Sequence, residues 1–211
     1  MNTINVKELT YQQPFCAGVI ILKNRRLVVA LDSINKQSYY RVGAVGGGQE
    51  IDETPIQCAK REALEEVGLT VSFKDSPITY LHNLDTNHIQ EVQCIDHPSP
   101  FLFQFKKNQD TNKPYREGLP SGEYTYYIMY LTDNSHDTIE PLNEVLGLIL
   151  IEPSKWSLLE ENLTIQQLME HHISIINYDN LNTNYRVYAP NDESFRWVAR
   201  LLCNHQELIN E

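Results

Sequence analysis

The chain has 211 residues and a formal net charge of −11, from 28 acidic and 17 basic side chains. Its 41% hydrophobic content excludes a disordered chain, and its length allows a sizeable core in one domain, or in one domain with an appendage. The acidic balance argues against a nucleic-acid polymer as partner, because Lys and Arg are too few to neutralise its phosphates, yet it leaves room for a small phosphorylated ligand held by a local positive site or a metal.

In chain order, residues 16–22 read as a buried strand, residues 23–26 as a polar turn and residues 27–31 as the returning strand of a hairpin. Residues 39–45 form a short strand running into Gly46, Gly47 and Gly48, which read as a loop. Thr54-Pro55-Ile56-Gln57 is a helix start: Thr54 suits the N-cap, Pro55 the first helical position, and Gln57 completes a capping box. Gly68 is the matching stop. Ile56, Ala59, Ala63, Leu64 and Val67 recur between them at helical spacing and predict a core face. Strands are expected at 69–73, 78–84, 101–105, 124–131 and 145–151, with long loops at 106–122 and 133–143. Residues 157–171 and 195–208 read as helices, with a short strand at 173–178 between them. The mixture predicts an α/β or α+β sandwich.

The longest apolar runs, residues 18–22 and 145–151, are too short to span a bilayer, and the first residues lack the layout of a signal peptide. Cys16, Cys58, Cys94 and Cys203 form no C-x-x-C and read as unreactive thiols in a reducing cytosol. The expected location is cytoplasmic. The seven histidines (His82, His88, His97, His136, His171, His172 and His205) show no zinc-like spacing.

Glycine and acid are concentrated together. Five of the nine glycines lie between Gly43 and Gly68, and six carboxylates lie between Glu50 and Glu66. On a helical wheel Ile56, Ala59, Ala63 and Val67 point one way, while Glu62, Glu65 and Glu66 fall on the other side within about a quarter of the circumference. This is poor for helix stability: like charges four residues apart cost roughly 0.2–0.5 kcal/mol, and acids near a helix C-terminus oppose its dipole. A bound divalent cation reverses that sign, since clustered carboxylates are what Mg²⁺ or Mn²⁺ require.

The pattern Gly47-x5-Glu53-x7-Arg61-Glu62-Ala63-x-Glu65-Glu66-x-Gly68-Leu69 resembles a complete Nudix box, spanning 23 of the 211 residues. The resemblance implies a Nudix-type α/β/α sandwich with a mixed β-sheet, here followed by a C-terminal helical extension. It implies a domain over residues 1–154, with residues 155–211 packed on it. The implied activity is that of a pyrophosphohydrolase: water attacks one phosphorus of a nucleoside diphosphate linked to another moiety, assisted by Mg²⁺ or Mn²⁺. Carried over residue by residue, Glu62, Glu65 and Glu66 would hold the metal, with Glu65 as ligand or base. Gly47 would offer its carbonyl. Arg61 would pair with Glu53 and hold the loop to the helix, and Glu50 would touch metal-bound water.

A further acid from a later loop often serves as general base in the family; Glu144, Glu140 and Glu123 are the candidates. Phosphate contacts are sought among Arg25, Arg26, Arg41 and Arg116, and base stacking among Tyr39, Tyr40 and Phe103. Val45 stands where many members have Pro, and the signatures of ADP-ribose-specific and coenzyme-A-type members are absent, so the substrate stays open. Homodimers are frequent in the family and remain open as partners. The alternative is a Nudix-fold, nucleotide-sensing transcriptional regulator without catalysis. The tail after Ser154, with four bases and eight acids, suits a helical cover better than a DNA reader.

Overall fold

The computed structural model describes residues 2–34, 37–114, 116–133 and 138–210. His136, and parts of the 106–122 and 133–143 segments, lie outside the described residues. In chain order the strands are β1 (Thr3–Ile4), β2 (Phe15–Ile20), β3 (Leu22–Lys23), β4 (Arg26–Ser33), β5 (Tyr39–Gly43), β6 (Val45–Gly48), β7 (Thr79–Asn83), β8 (His88–Cys94), β9 (Leu102–Lys107), β10 (Tyr124–Leu131), β11 (Val145–Ile151), β12 (Ser174–Ile176) and β13 (Arg186–Tyr188). The helices are α1 (Val6–Leu9), α2 (Pro55–Val67), α3 (Ile165–Glu170), α4 (Ser194–Leu202) and α5 (Gln206–Asn210). The fold is mixed α/β with two mixed sheets.

The chain forms two compact units: Met1–Val19, Gly46–Glu62 and Val71–Asp133 in the first, and Ile20–Val45, Ala63–Thr70 and Asn134–Glu211 in the second. Helix α2 starts in one and ends in the other. The first unit is built on a seven-stranded sheet in the order β1-β8-β7-β9-β10-β2-β6, with β1 parallel to β8 and β7 parallel to β9. Its core holds Phe101, Phe103, Ile128 and Tyr130, all at most 1% exposed. The second unit is built on the sheet β12-β11-β4-β5-β13, with β13 parallel to β5. Leu27 to Leu31 and Leu148, Ile149 and Ile151 have no exposed surface, so β4 and β11 are buried on both faces, as their unbroken apolar runs require. Residues 155–211 add two edge strands, β12 and β13, to this sheet as well as helices. No helix among the described residues is long and apolar enough to cross a membrane.

Several expectations are corrected. Residues 16–22 are not one strand: β2 joins the first sheet, and β3 alone makes the hairpin with β4, pairing Leu22 with Leu27 and Lys23 with Arg26. Asn24 (φ 50°) and Arg25 (φ 64°) form its two-residue turn, whose positive φ values match the twist of the strands. The three glycines lie in strand β6, at the end of the first sheet, rather than in a loop. Residues 69–73 are extended, with Leu69 and Val71 buried, but pair only through the Phe73–Thr132 bridge among the described residues. Strand β8 has no clear sequence signal because its residues are mostly polar and only Val92 among them is buried. The expected helix at 157–171 divides into a 3-10 segment (Pro153–Glu160) and α3, since Asn162 takes φ 58° and Thr164 begins a new capping box with Gln167. The last helix breaks at 203–205, where Asn204 and His205 N–H groups bond back three residues to Leu201 and Leu202.

Candidate active site

Helix α2 is fixed at both ends. Gln57 N–H donates to Thr54 Oγ1 at 3.3 Å and Thr54 N–H to Gln57 Oε1 at 2.9 Å, so the reciprocal cap forms. At the other end Gly68 takes φ +71°. Three last-turn carbonyls are met by one loop: Asn143 Nδ2 donates to Glu65 O at 2.6 Å, Leu142 N–H to Glu66 O at 2.9 Å and Glu140 N–H to Val67 O at 3.3 Å.

The buried face of α2 contains Ala59, Ala63 and Val67, as the apolar spacing predicts, but it leaves out Leu64 and extends to Cys58, Glu62 and Glu66. Cys58, Ala59, Glu62, Ala63, Glu66 and Val67 are buried, Leu64 is 53% exposed and Ile56 is half-buried. Glu62 and Glu66, each 8% exposed, therefore stand inside the buried arc, and only Glu65 is exposed.

Arg61 organises the start of this helix. Its Nε donates to Glu53 Oε1 at 2.9 Å and its Nη2 to Glu53 Oε2 at 3.0 Å, a two-pronged pair. Nη2 also reaches Gly48 O at 2.9 Å, and Nη1 donates to Glu62 Oε1 at 2.7 Å. One planar cation thus ties strand β6, the connecting turn and the helix together. Burial works to raise the Glu53 carboxyl, but Arg61 and the Glu50 N–H outweigh it and hold the group below its ordinary value. The bond to Glu53, then those to Glu62, keep Arg61 charged against its own burial.

Two glycines are needed here for close approach. A Cβ on Gly46 (φ +155°) would overlap Gly18 Cα and lie 2.7 Å from Ala17 O. A Cβ on Gly47 would lie 2.5 Å from Glu62 Oε1, so its absence makes the cradle in which that carboxylate rests. Cys58 lies below, its Sγ 3.4 Å from Gly47 O, and burial pushes its thiol well above the ordinary range. Cys58, which the sequence marks only as an unreactive thiol, stands one helical turn before Glu62. All four cysteines are free thiols.

No group of three His, Cys, Asp or Glu side chains among the described residues is gathered closely enough to hold a metal ion. The donor set nevertheless fits a hard divalent cation. It consists of oxygen donors, two of them buried carboxylates on successive turns, and the first, Glu62, rests where a Cβ on Gly47 would lie.

The other candidates are scattered. Glu140 and Glu144 are exposed, and they flank the Leu142 and Asn143 groups that bind the end of α2. Glu123 is exposed in the first unit and pairs with Lys107 at 3.4 Å. Arg41 pairs with Glu193 at 2.9 Å and with Asp32 at 3.4 Å. Tyr40 is 7% exposed; its hydroxyl accepts from Asn182 N–H at 2.8 Å and its ring lies 5.3 Å from that of Tyr185. Phe103 belongs to the core, against Tyr126. Tyr39 is half-buried on β5 and Arg116 is exposed in the first unit. Arg25 and Arg26 stand at the far end of the β4–β11 pair from Glu144: Leu27 faces Ile151, whereas Asp32 faces Val145. Five residues of strand separate these ends, about 17 Å. Asn143 and Glu193 had no signal in the sequence, because their partners come from distant segments.

Fold and site define a mixed α/β protein that carries clustered carboxylates on one helix, joined through an arginine to a glycine-bearing strand. The NUDIX domain family model matches residues 13–170, well over half of the chain. The chain therefore belongs to the NUDIX domain family, as the box in its sequence implies. No curated protein matches it. Among solved structures, a MutT protein from Methanosarcina mazei Go1 is 13% identical, with 69% of this chain and 80% of that chain covered and a TM-score of 0.42. A C. elegans Ap4A hydrolase binary complex is 14% identical, with 68% and 83% covered and a TM-score of 0.40. A NUDIX hydrolase from Nitrosomonas europaea is 14% identical, with 93% and 72% covered and a TM-score of 0.39. The family assignment rests on the domain match.

Proposed function

We propose that this protein is a metal-dependent hydrolase that cleaves the pyrophosphate linkage of a nucleoside diphosphate joined to another moiety. The observation that carries this reading is the pair of buried carboxylates, Glu62 and Glu66, on successive turns of α2, the first of them resting against Gly47. Buried charges of one sign at this spacing oppose both desolvation and the helix dipole, and a divalent cation supplies what offsets them.

In this reading Glu62, Glu65, Glu66 and the Gly47 carbonyl hold Mg²⁺ or Mn²⁺. The ion, when bound, supplies activation of a water nucleophile and neutralisation of charge on the bridging and leaving phosphate oxygens. Arg61 and Glu53 keep the carboxylates and the strand in register. Where it serves as base rather than ligand, the exposed Glu65 takes up the proton released as water attacks phosphorus; Glu140 and Glu144, on the loop tied to the same helix end, are the alternative acceptors. Arg41 is the proposed substrate contact, with 42% of its side chain open despite two ion pairs. Residues 1–154 are read as the catalytic domain, and residues 155–211 as its extension.

The test is product formation from dinucleoside polyphosphates, nucleotide sugars, NADH and nucleoside triphosphates, with and without Mg²⁺, for wild type and Glu66→Gln. Metal-dependent turnover of at least one compound, abolished in the variant, is expected. Unchanged turnover in Glu66→Gln overturns the site. No turnover at all, together with tight binding of a nucleotide and duplex DNA, replaces the enzyme with a regulator.

A further inference from the structure

We propose that the second unit carries a separate anion site, formed for a phosphate group, in the cleft beside the β3–β4 turn. The cleft has a volume of about 370 Å³ and takes polar lining from Asn24, Arg25, Arg26, Ser154, Gln206 and Glu152. This is within the size range of small-ligand sites.

Its charge is out of keeping with the chain. The protein as a whole carries −11, yet two guanidinium groups meet in this cleft. The single lining carboxylate, Glu152, is already countered by Lys155 Nζ at 3.2 Å. Arg26 is anchored, its Nη1 donating to Ser174 Oγ at 2.8 Å. Arg25 has no hydrogen-bond or ion-pair partner among the described residues, so its five donors are available to a ligand. The Asn24 amide and the Ser154 hydroxyl add neutral donors to the lining, and Gln206 Nε2, which donates one hydrogen to Cys203 O at 3.3 Å, has a second.

Backbone conformation gives a second reason. Arg25 occupies the second central position of a two-residue turn at φ 64°, where glycine is the favoured residue. A long side chain there is disfavoured. The residue that stands there brings a guanidinium to the cleft, and planar arginine forks match phosphate oxygens. The cleft stands at the Ile151 end of the β4–β11 pair and the Glu140–Glu144 loop at the Val145 end, so this phosphate is not the one exposed to the loop acids.

The occupant is a small molecule that presents a terminal phosphate or pyrophosphate, either the free ion or the end of a nucleotide. The experiment titrates the ¹⁵N-labelled full chain with inorganic phosphate, pyrophosphate and AMP, without divalent metal. Backbone amide shifts at Asn24, Ser154 and Gln206 are followed. Arg25→Gly produces Asn-Gly, the preferred pair for this turn, and so deletes the guanidinium without loss of fold. Saturable shifts in wild type, weakened about tenfold or more in Arg25→Gly and also weakened in Gln206→Ala, are expected. Tighter binding of AMP than of either inorganic ion identifies a nucleotide as the source of the phosphate; the reverse identifies the free ion. Absence of saturable shifts at these amides with all three probes, or equal binding by wild type and Arg25→Gly, overturns the proposal. Neither turnover nor metal binding enters the test, so it stands apart from the hydrolase reading.

Discussion

Gly46 and Gly47 are neighbours with opposite reasons to be glycine. Beyond Gly46 lies backbone, which cannot move aside, so Gly46→Ala must displace β6 from β2; a loss of about 1–3 kcal/mol in denaturant unfolding is expected. The three atoms nearest a Cβ on Gly47 all belong to the Glu62 carboxylate, the far end of a side chain, which can shift where backbone cannot. Gly47→Ala is therefore expected to keep its stability within about 1 kcal/mol while losing turnover, because the displaced carboxylate is one of the proposed ligands. Equal destabilisation by both substitutions would refute the distinction. His82 makes a separate case at this scale. It has no exposed surface, its Nδ1 lies 2.9 Å from Gln104 Nε2, and burial lowers its pKa from 6.5. Below about pH 6.5 the unfolded chain then binds a proton that the folded chain resists. This contribution to stability is complete above that pH and is lost as the pH falls through the window beneath it. Wild-type Tm is expected to decline more steeply than that of His82→Gln between about pH 7 and 5.5.

At the scale of elements, helix α2 shows what a sequence can and cannot say. Thr54, Pro55, Gln57 and Gly68 mark its ends because capping is local, and the helix runs from Pro55 to Val67 between them. Which face is buried is a tertiary matter. Apolar spacing selects Ile56, Ala59, Ala63, Leu64 and Val67; Ala59, Ala63 and Val67 are buried, but the packed arc also takes in Glu62 and Glu66 and leaves Leu64 exposed, since small Cys58, Ala59 and Ala63 permit close approach on that side. The glycine run likewise reads as a loop because nothing local reveals that β6 runs alongside β2. The loop that closes the helix C-terminus is equally hidden, as Asn143 lies 78 residues from Glu65. Its role is testable. Asn143→Ala deletes the bond to Glu65 O and leaves the Leu142 and Glu140 N–H bonds in place. Asn143 also takes φ 50°, which alanine tolerates less well. A loss of about 1–2 kcal/mol is expected, while Asn143→Gly relieves the backbone and isolates the side-chain bond. Hydrogen exchange at the last turn of α2 should rise in both variants; unchanged protection there would show that the two backbone bonds suffice.

For the molecule as a whole, the −11 is unevenly placed, with six of the 28 acids between Glu50 and Glu66. Of these, Glu53 and Glu62 are countered by Arg61. Glu65 and Glu66 extend the acidic stretch along the same helix, toward the dipole's negative end. The metal-free chain thus carries a repulsion that bound cation removes, and stability reports this without any substrate. A ligand that binds only the folded state at a hundred times its Kd adds about 2.7 kcal/mol, which for a chain of this size is a rise in Tm of roughly 5–11 °C. Wild type is expected to show such a rise with Mg²⁺ or Mn²⁺ and to lose it with chelator. Glu66→Gln removes one of the repelling charges, so its metal-free Tm should equal or exceed that of wild type, while its response to metal is much reduced. The crossing of the two curves separates a ligand from a structural carboxylate. A Glu66 that merely stabilised the fold would lower Tm in both conditions when neutralised, and would leave the metal-induced shift unchanged.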